Sequence, residues 1–221
     1  MRRTGTTILA TGALLAIPVA ASLAQKPPKP PGQAGVTLTA KPNPLTFSQP
    51  VELKVSVKGS KSGVGVVLQR HLTSSRSFSD LETKATDAKG DVTFTPRPRE
   101  ITYYRAVART APEQTSAELI VQVAPLVGLK VSDATPRAGQ RVRFAGTVRP
   151  THDGRRVYLQ RRIGGGAFVT IAKTALRAGT STYSKYSLSS RVRQTATYRV
   201  RILGHTDHAM GISRERVLTT H

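Results

Sequence analysis

Between residues 156 and 162 the side chains alternate strictly: Val157 and Leu159 fall to one side, and Arg156, Tyr158, Gln160 and Arg162 to the other. A period of two is the mark of a β-strand with one face in a core and one in water. Similar short runs recur along the chain, broken by Pro, Gly, Asp and Asn, and no stretch carries a helical period. In the second half they predict strands near 127 to 132, 140 to 148, 156 to 162, 168 to 173, 184 to 189, 196 to 203 and 213 to 219. In the first half they predict strands near 36 to 41, 50 to 58, 64 to 71, 78 to 84, 91 to 95, 102 to 109 and 116 to 123.

The two sets are one pattern written twice. Val66-Val67-Leu68-Gln69-Arg70 matches Val157-Tyr158-Leu159-Gln160-Arg161 at an offset of 91, as Gln49 to Leu53 matches Gln140 to Phe144. Further on, Val92 to Arg99 matches Tyr186 to Arg193, and Tyr104-Arg105 matches Tyr198-Arg199, at an offset of 94. A repeat of roughly 90 residues has the size of an immunoglobulin-like sandwich. The expected fold is therefore all-β: two tandem immunoglobulin-like β-sandwich domains at 36–124 and 125–221. Residues 124 to 126, Ala-Pro-Leu, join them with little slack, which should restrict their relative orientation.

The segment ahead of the repeats changes the picture of where the chain works. Arg2 and Arg3, an apolar stretch from Ile8 to Ala21, and Ser22-Leu23-Ala24 read as a signal peptide over 1–24, cleaved after Ala24. Residues 25–35, QKPPKPPGQAG, read as a Pro-rich spacer. No later stretch is apolar enough to span a membrane. The absence of cysteine excludes disulfides, so an exported chain must hold its domains by packing alone.

The strand V-x-L-Q-R (Val66 to Arg70), the aromatic-led strand at Phe78, the turn Thr86-Asp87-Ala88-Lys89-Gly90-Asp91-Val92-Thr93-Phe94 and the strand Thr102 to Arg105 resemble the tandem bacterial Ig-like (immunoglobulin/fibronectin III-like) repeats of secreted actinobacterial proteins. In the second copy Arg177-Ala178-Gly179-Thr180 replaces the Asp-containing turn, and extra residues follow. The resemblance implies a fold and export; its motifs are structural and carry no catalytic residues. In this fold Tyr104 and Tyr198 should bury their rings and bond their hydroxyls to nearby backbone.

Charge separates the halves. Residues 25 to 125 hold 14 Lys and Arg against 8 Asp and Glu, a charge of +6, whereas residues 126 to 221 hold 18 against 4, a charge of +14. Strand phase puts Arg156, Tyr158, Arg162, Arg199 and Arg201 on one outer face of the second domain. Such a face suits phosphate or carboxylate oxygens, with Tyr158 free to stack; the alternative is a solvated outer sheet. His205, Asp207 and His208 are a weak metal candidate, because they converge only if their hairpin loop folds back on itself. Gly164-Gly165-Gly166 precede a strand, so they make a hairpin and no phosphate loop.

No nucleophile motif, zinc-protease motif or paired carboxylates are present, so neither an enzyme nor a cofactor is expected. The sequence points to a secreted, non-enzymatic adhesion or interaction protein of the cell envelope, binding anionic envelope polymers or surface proteins. The alternative is a purely structural spacer with no ligand. Nucleic acid is disfavoured, since export removes the chain from most of it.

Overall fold

The computed structural model of the protein describes residues 35–60 and 62–221. Apart from Gly35, the expected signal peptide and spacer lie outside the described residues. The first half forms β1 (Val36–Lys41), β2 (Leu45–Thr46), β3 (Glu52–Val57), β4 (Gly65–Leu72), β5 (Ser79–Ala85), β6 (Asp91–Phe94), β7 (Thr102–Ala108), β8 (Gln114–Thr115), β9 (Leu119–Val121) and β10 (Val123–Ala124). One antiparallel sheet runs β1-β3-β6, and the other runs β5-β4-β7 with β8 and β9 paired in turn along β7. The two-residue strands β2 and β10 pair in parallel, a clasp too short for alternation to reveal.

The second half repeats the plan with β11 (Leu126–Val127), β12 (Lys130–Val131), β13 (Gln140–Arg149), β14 (Arg156–Arg162), β15 (Val169–Ala175), β16 (Arg177–Thr180), β17 (Tyr183–Val192), β18 (Ala196–Ile202), β19 (Gly211–Ile212) and β20 (Arg216–Leu218). Here β11 and β12 pair β13, which continues to β17 and β16, while β15-β14-β18 carries β19 and β20. The molecule is all-β, two tandem Ig-like sandwiches. The segment that replaces the Asp-containing turn, Arg177–Thr180, forms β16, and the residues after it turn back to pair it with β17.

Each sandwich closes on its own apolar cluster. Leu53, Val55, Val66, Leu68, Phe94, Tyr104 and Ala106 fill the first, and Val142, Phe144, Val157, Leu159, Tyr198, Val200 and Ile202 fill the second. The inward phases expected for β14 and β18 are therefore found. Burying each of these larger side chains stabilises the fold by about 1.5–3 kcal/mol. One cross-strand pair is exchanged between copies: Leu53 opposes Phe94 in the first, and Phe144 opposes Leu188 in the second. The chain thus keeps the combined volume of the pair while swapping which strand carries the ring.

The turn at 86–91 shows why its motif takes that form. The Asp87 carboxylate accepts from the Lys89 and Asp91 backbone N–H groups at 2.8 and 2.9 Å, and Gly90 takes a left-handed φ of 80°. A Cβ at Gly90 would meet the Val57 carbonyl at 2.7 Å, so a side chain is disfavoured twice over.

The tyrosine expectation needs correction. Tyr104 and Tyr198 do bury their rings completely, but among the described residues neither hydroxyl bonds the backbone; the side chains of Thr102 and Arg161 lie beside them instead. Burial pushes the Tyr104 phenol up to about 12. The tyrosine that does bond backbone is Tyr186, whose hydroxyl donates to the Gly128 carbonyl at 2.6 Å. Gly146 makes this possible, because any Cβ there would run into the same carbonyl and the Tyr186 hydroxyl.

Candidate functional site

The basic face assembles as its strand phases imply. Tyr158 opposes Arg201, Gln160 opposes Arg199 and Arg162 opposes Thr197 across β14 and β18. Arg156 is exposed at the strand's start; Tyr158, Arg162, Arg199 and Arg201 are half-buried. Phe168, which the sequence reading left out of this face, lies beneath two of the cations: the Arg199 guanidinium carbon sits 3.7 Å from its ring centre and that of Arg162 sits 4.5 Å away. Arg199 also donates to Gln160 at 2.9 Å, and Arg162 pairs with Glu215 at 2.7 Å. Arg201 lies over the Tyr158 ring at 5.9 Å, with its Nε buried.

The middle rung is not particular to the second domain. In the first, Arg105 donates to Gln69 at 2.7 Å and lies 4.0 Å from the Phe78 ring centre. A guanidinium held by Gln and covered by Phe is thus a device of the repeat. Next to it the copies diverge. Gly65, Val67, His71 and Val107 stand where the second domain has Arg156, Tyr158, Arg162 and Arg201.

A second constellation lies at the joint between the domains. The loop from Leu203 to Met210 links β18 to β19 and doubles back, with the His205 N–H donating to the His208 carbonyl at 2.8 Å. Its far side grips the first domain at three points: Ile101 N–H donates to the Asp207 carbonyl at 2.7 Å, Ala209 N–H to the Val123 carbonyl at 2.9 Å, and the His208 ring to the Arg99 carbonyl at 2.9 Å. A cleft of about 580 Å³ bordered by Phe47, Arg99, Arg149, Pro150, Asp207 and His208 opens beside it. Pro125 alone separates β10 from β11, so the restricted joint read from the sequence is reinforced by this loop.

The loop brings His205 and His208 together as a metal site would require, but their third partner is His152, from the β13–β14 loop, and not Asp207. One ring nitrogen from each of the three histidines lies within 4.8 Å of the other two. Their ring centres are 5.0 Å apart for His152 and His205, 4.9 Å for His152 and His208, and 5.3 Å for His205 and His208. His152 is placed by Ser184, whose hydroxyl accepts its backbone N–H at 2.6 Å and donates to Asp153. Fifty-three positions of sequence separate His152 from His205, and only the fold makes them neighbours.

Desolvation favours the neutral form of all three rings. It is the largest cause of the lowered His208 value, about 4, with the neighbouring His152 adding to it. Burial also lowers His152 and His205, helped in both by the charge of Arg155 and opposed by Asp207. A neutral imidazole is the form that ligates a metal.

No known family profile matches the chain, and no curated protein matches it. Among solved structures it is similar to a tetra-tandem repeat in the extending region of a large adhesion protein, at 14% identity and a TM-score of 0.38, over 83% of this chain and 49% of that one. It is also similar to a Salmonella alpha-2-macroglobulin mutant, at 13% identity and a TM-score of 0.36, over 86% of this chain and 16% of that one. The chain spans about half of the first and about a sixth of the second.

Proposed function

We propose that the protein is an exported, non-enzymatic interaction protein of the cell envelope whose second domain holds anionic polymers against the β14–β18 face. The observation that supports this reading is the set of cations that the repeat does not need. Arg156, Arg162 and Arg201 replace Gly65, His71 and Val107, and they flank the Gln160–Arg199 rung that both domains share. Guanidinium forks match phosphate and carboxylate oxygens, and Tyr158 supplies a flat apolar surface between them. Such attraction is screened over a Debye length of about 8 Å at physiological ionic strength, so binding should weaken steeply with salt.

The test is retention on isolated envelope fractions across a salt series. The triple variant Arg156→Glu, Arg162→Glu, Arg201→Glu leaves Arg199 in its structural place and should lose salt-sensitive retention. Reversing Arg141, Arg143 and Lys185, exposed on the other sheet, makes the same change in net charge and should preserve most of it. Equal loss in both variants would sink the face and leave only bulk charge.

The domain joint supports a second reading, a rigid spacer without ligand. Three hydrogen bonds from one loop hold the sandwiches in a fixed relation. A spacer would retain nothing at physiological salt in the same assay.

A further inference from the structure

Two of the three histidines leave a lone pair that nothing among the described residues answers, and the third, His205, accepts the Asp207 N–H at Nδ1 and so buries an unpartnered Nε2–H. His152 Nδ1 lies 2.8 Å from the Pro150 carbonyl, which can only accept, so Nδ1 carries the proton and Nε2 is bare. His208 Nε2 lies 2.9 Å from the Arg99 carbonyl, so by the same logic its bare nitrogen is Nδ1. These two nitrogens, and His205 Nε2, are buried without a hydrogen-bond partner. His152 and His208 are 5% and 7% exposed. A buried acceptor left unmet destabilises the fold, so the paired lone pairs of His152 and His208 beside His205 call for a donor or a Lewis acid.

We infer that His152, His205 and His208 form a three-imidazole site for a borderline transition-metal dication of the Zn²⁺, Ni²⁺ or Cu²⁺ class, placed so that the bound ion stiffens the loop gripping the first domain. Imidazole suits these ions over Ca²⁺ or Mg²⁺, which take oxygen ligands. Two of the three ligands already have the second hydrogen bond that orients a metal-bound histidine, through the Pro150 and Arg99 carbonyls. Metal–nitrogen bonds of about 2.1 Å in a tetrahedral arrangement bring ligand nitrogens to roughly 3.4 Å, so the widest separation must close by roughly 1.4 Å. The ligands ride on loops and not on strands, which allows that closing. At His205 the Asp207 N–H faces Nδ1 at 3.3 Å, so ligation through Nε2 moves the ring proton to Nδ1 and gives up this long contact. Asp153 and Asp207 favour the cation and Arg155 opposes it. Three protein ligands leave a fourth position for water, and the adjoining cleft gives the ion a way in.

The experiment uses full-length protein without an affinity tag, stripped by a chelator and titrated with Zn²⁺, with Co²⁺ as a spectroscopic stand-in. One equivalent should bind, with a tetrahedral Co²⁺ absorption band that Zn²⁺ displaces, and the Zn²⁺-loaded joint should resist proteolysis at the 203–210 loop better than the stripped form. His205→Gln and His152→Gln should each weaken binding by more than about tenfold. His205 is only partly buried, so its variant should keep the fold, which strand circular dichroism checks. His221→Gln, in the exposed terminal residue, should bind as the parent does. Binding unchanged by His205→Gln, or no stoichiometric binding in the folded parent, would overturn the site and assign the cluster to a buried water. Salt-sensitive polymer retention is unaffected by His205→Gln on either outcome, so failure of the metal site and failure of the basic face are distinguishable.

Discussion

Where β4 meets β7 in the first domain, Gln69, Arg105 and Phe78 lock together, and where β14 meets β18 in the second, Gln160, Arg199 and Phe168 do the same. The bend in the last strand is repeated too. The Ser116 hydroxyl accepts the Ala106 N–H at 2.9 Å, and the Ser213 hydroxyl accepts the Val200 N–H at 2.9 Å. What differs lies around these fixed points: the cations beside the shared rung, and the loop before the bending serine. Residues 109–113 of the first domain are matched by 203–210 of the second, three residues longer, and the added length carries the contacts to the neighbour and two of the three histidines. Repeated groups therefore mark what the sandwich needs, and unrepeated groups mark what each domain adds.

The largest expected effect tests whether the two cores are equivalent. Phe94→Ala and Phe144→Ala should each cost about 3–5 kcal/mol, followed as separate denaturant transitions of the two domains. A smaller one probes the exchanged pair: Leu53→Phe should cost about 1–3 kcal/mol by overpacking, and Phe94→Leu added to it should recover most of that loss. Failure to recover would mean that the exchange depends on neighbours beyond the pair. Smaller again, Gln69→Ala and Gln160→Ala should each lower stability by about 1–2 kcal/mol, by equal amounts within error. A clear inequality would break the claim that the Gln–Arg–Phe lock does the same work in both copies.

The smallest effect separates the domains by pH. Asp91 pairs with Lys54 at 2.7 Å and accepts from Ser56 at 2.5 Å, whereas the second domain has Lys185, Ala145 and Thr147 at those places. The hydrogen bond from Lys54, then that from Ser56, hold the Asp91 carboxyl below its usual 3.8. A carboxyl with a lowered folded value adds stability that is present above the unfolded value and lost as pH falls through the folded one. The first domain's urea midpoint should thus drop in acid more than that of Asp91→Asn, and the second domain's should not respond to the substitution.

Most of the sandwich was legible because a period of two reports which face is buried: Val157, Leu159, Tyr198, Val200 and Ile202 all point where alternation puts them. Short clasps such as β2–β10 escaped, since two residues cannot display a period. Phe168 escaped because its cation contacts depend on a hairpin returning beside strands distant in sequence. The hydroxyls of Tyr104 and Tyr198 do not reach the backbone that analogy assigns them; the tyrosine that bonds a backbone carbonyl is Tyr186. Of the three histidines that the fold gathers, local spacing could suggest His205 and His208 but not His152. A signal was nevertheless available. The repeat offset grows from 94 at Tyr198 to 97 at Ser213, which marks an insertion worth asking about.

That insertion gives the tandem a polarity. A plug on the second domain enters a socket made by Arg99, Ile101 and Val123 of the first, while the first domain's own loop at 109–113 is three residues shorter and has no equivalent length to reach a neighbour. If further copies were spliced onto this chain, one added after residue 221 would seat only if it brought the long loop, and one added ahead of Gly35 would meet a domain that cannot latch onto it. Joint stiffness is therefore a property that the following domain confers on the preceding one, and grafting 203–210 in place of 109–113 should be enough to transfer it.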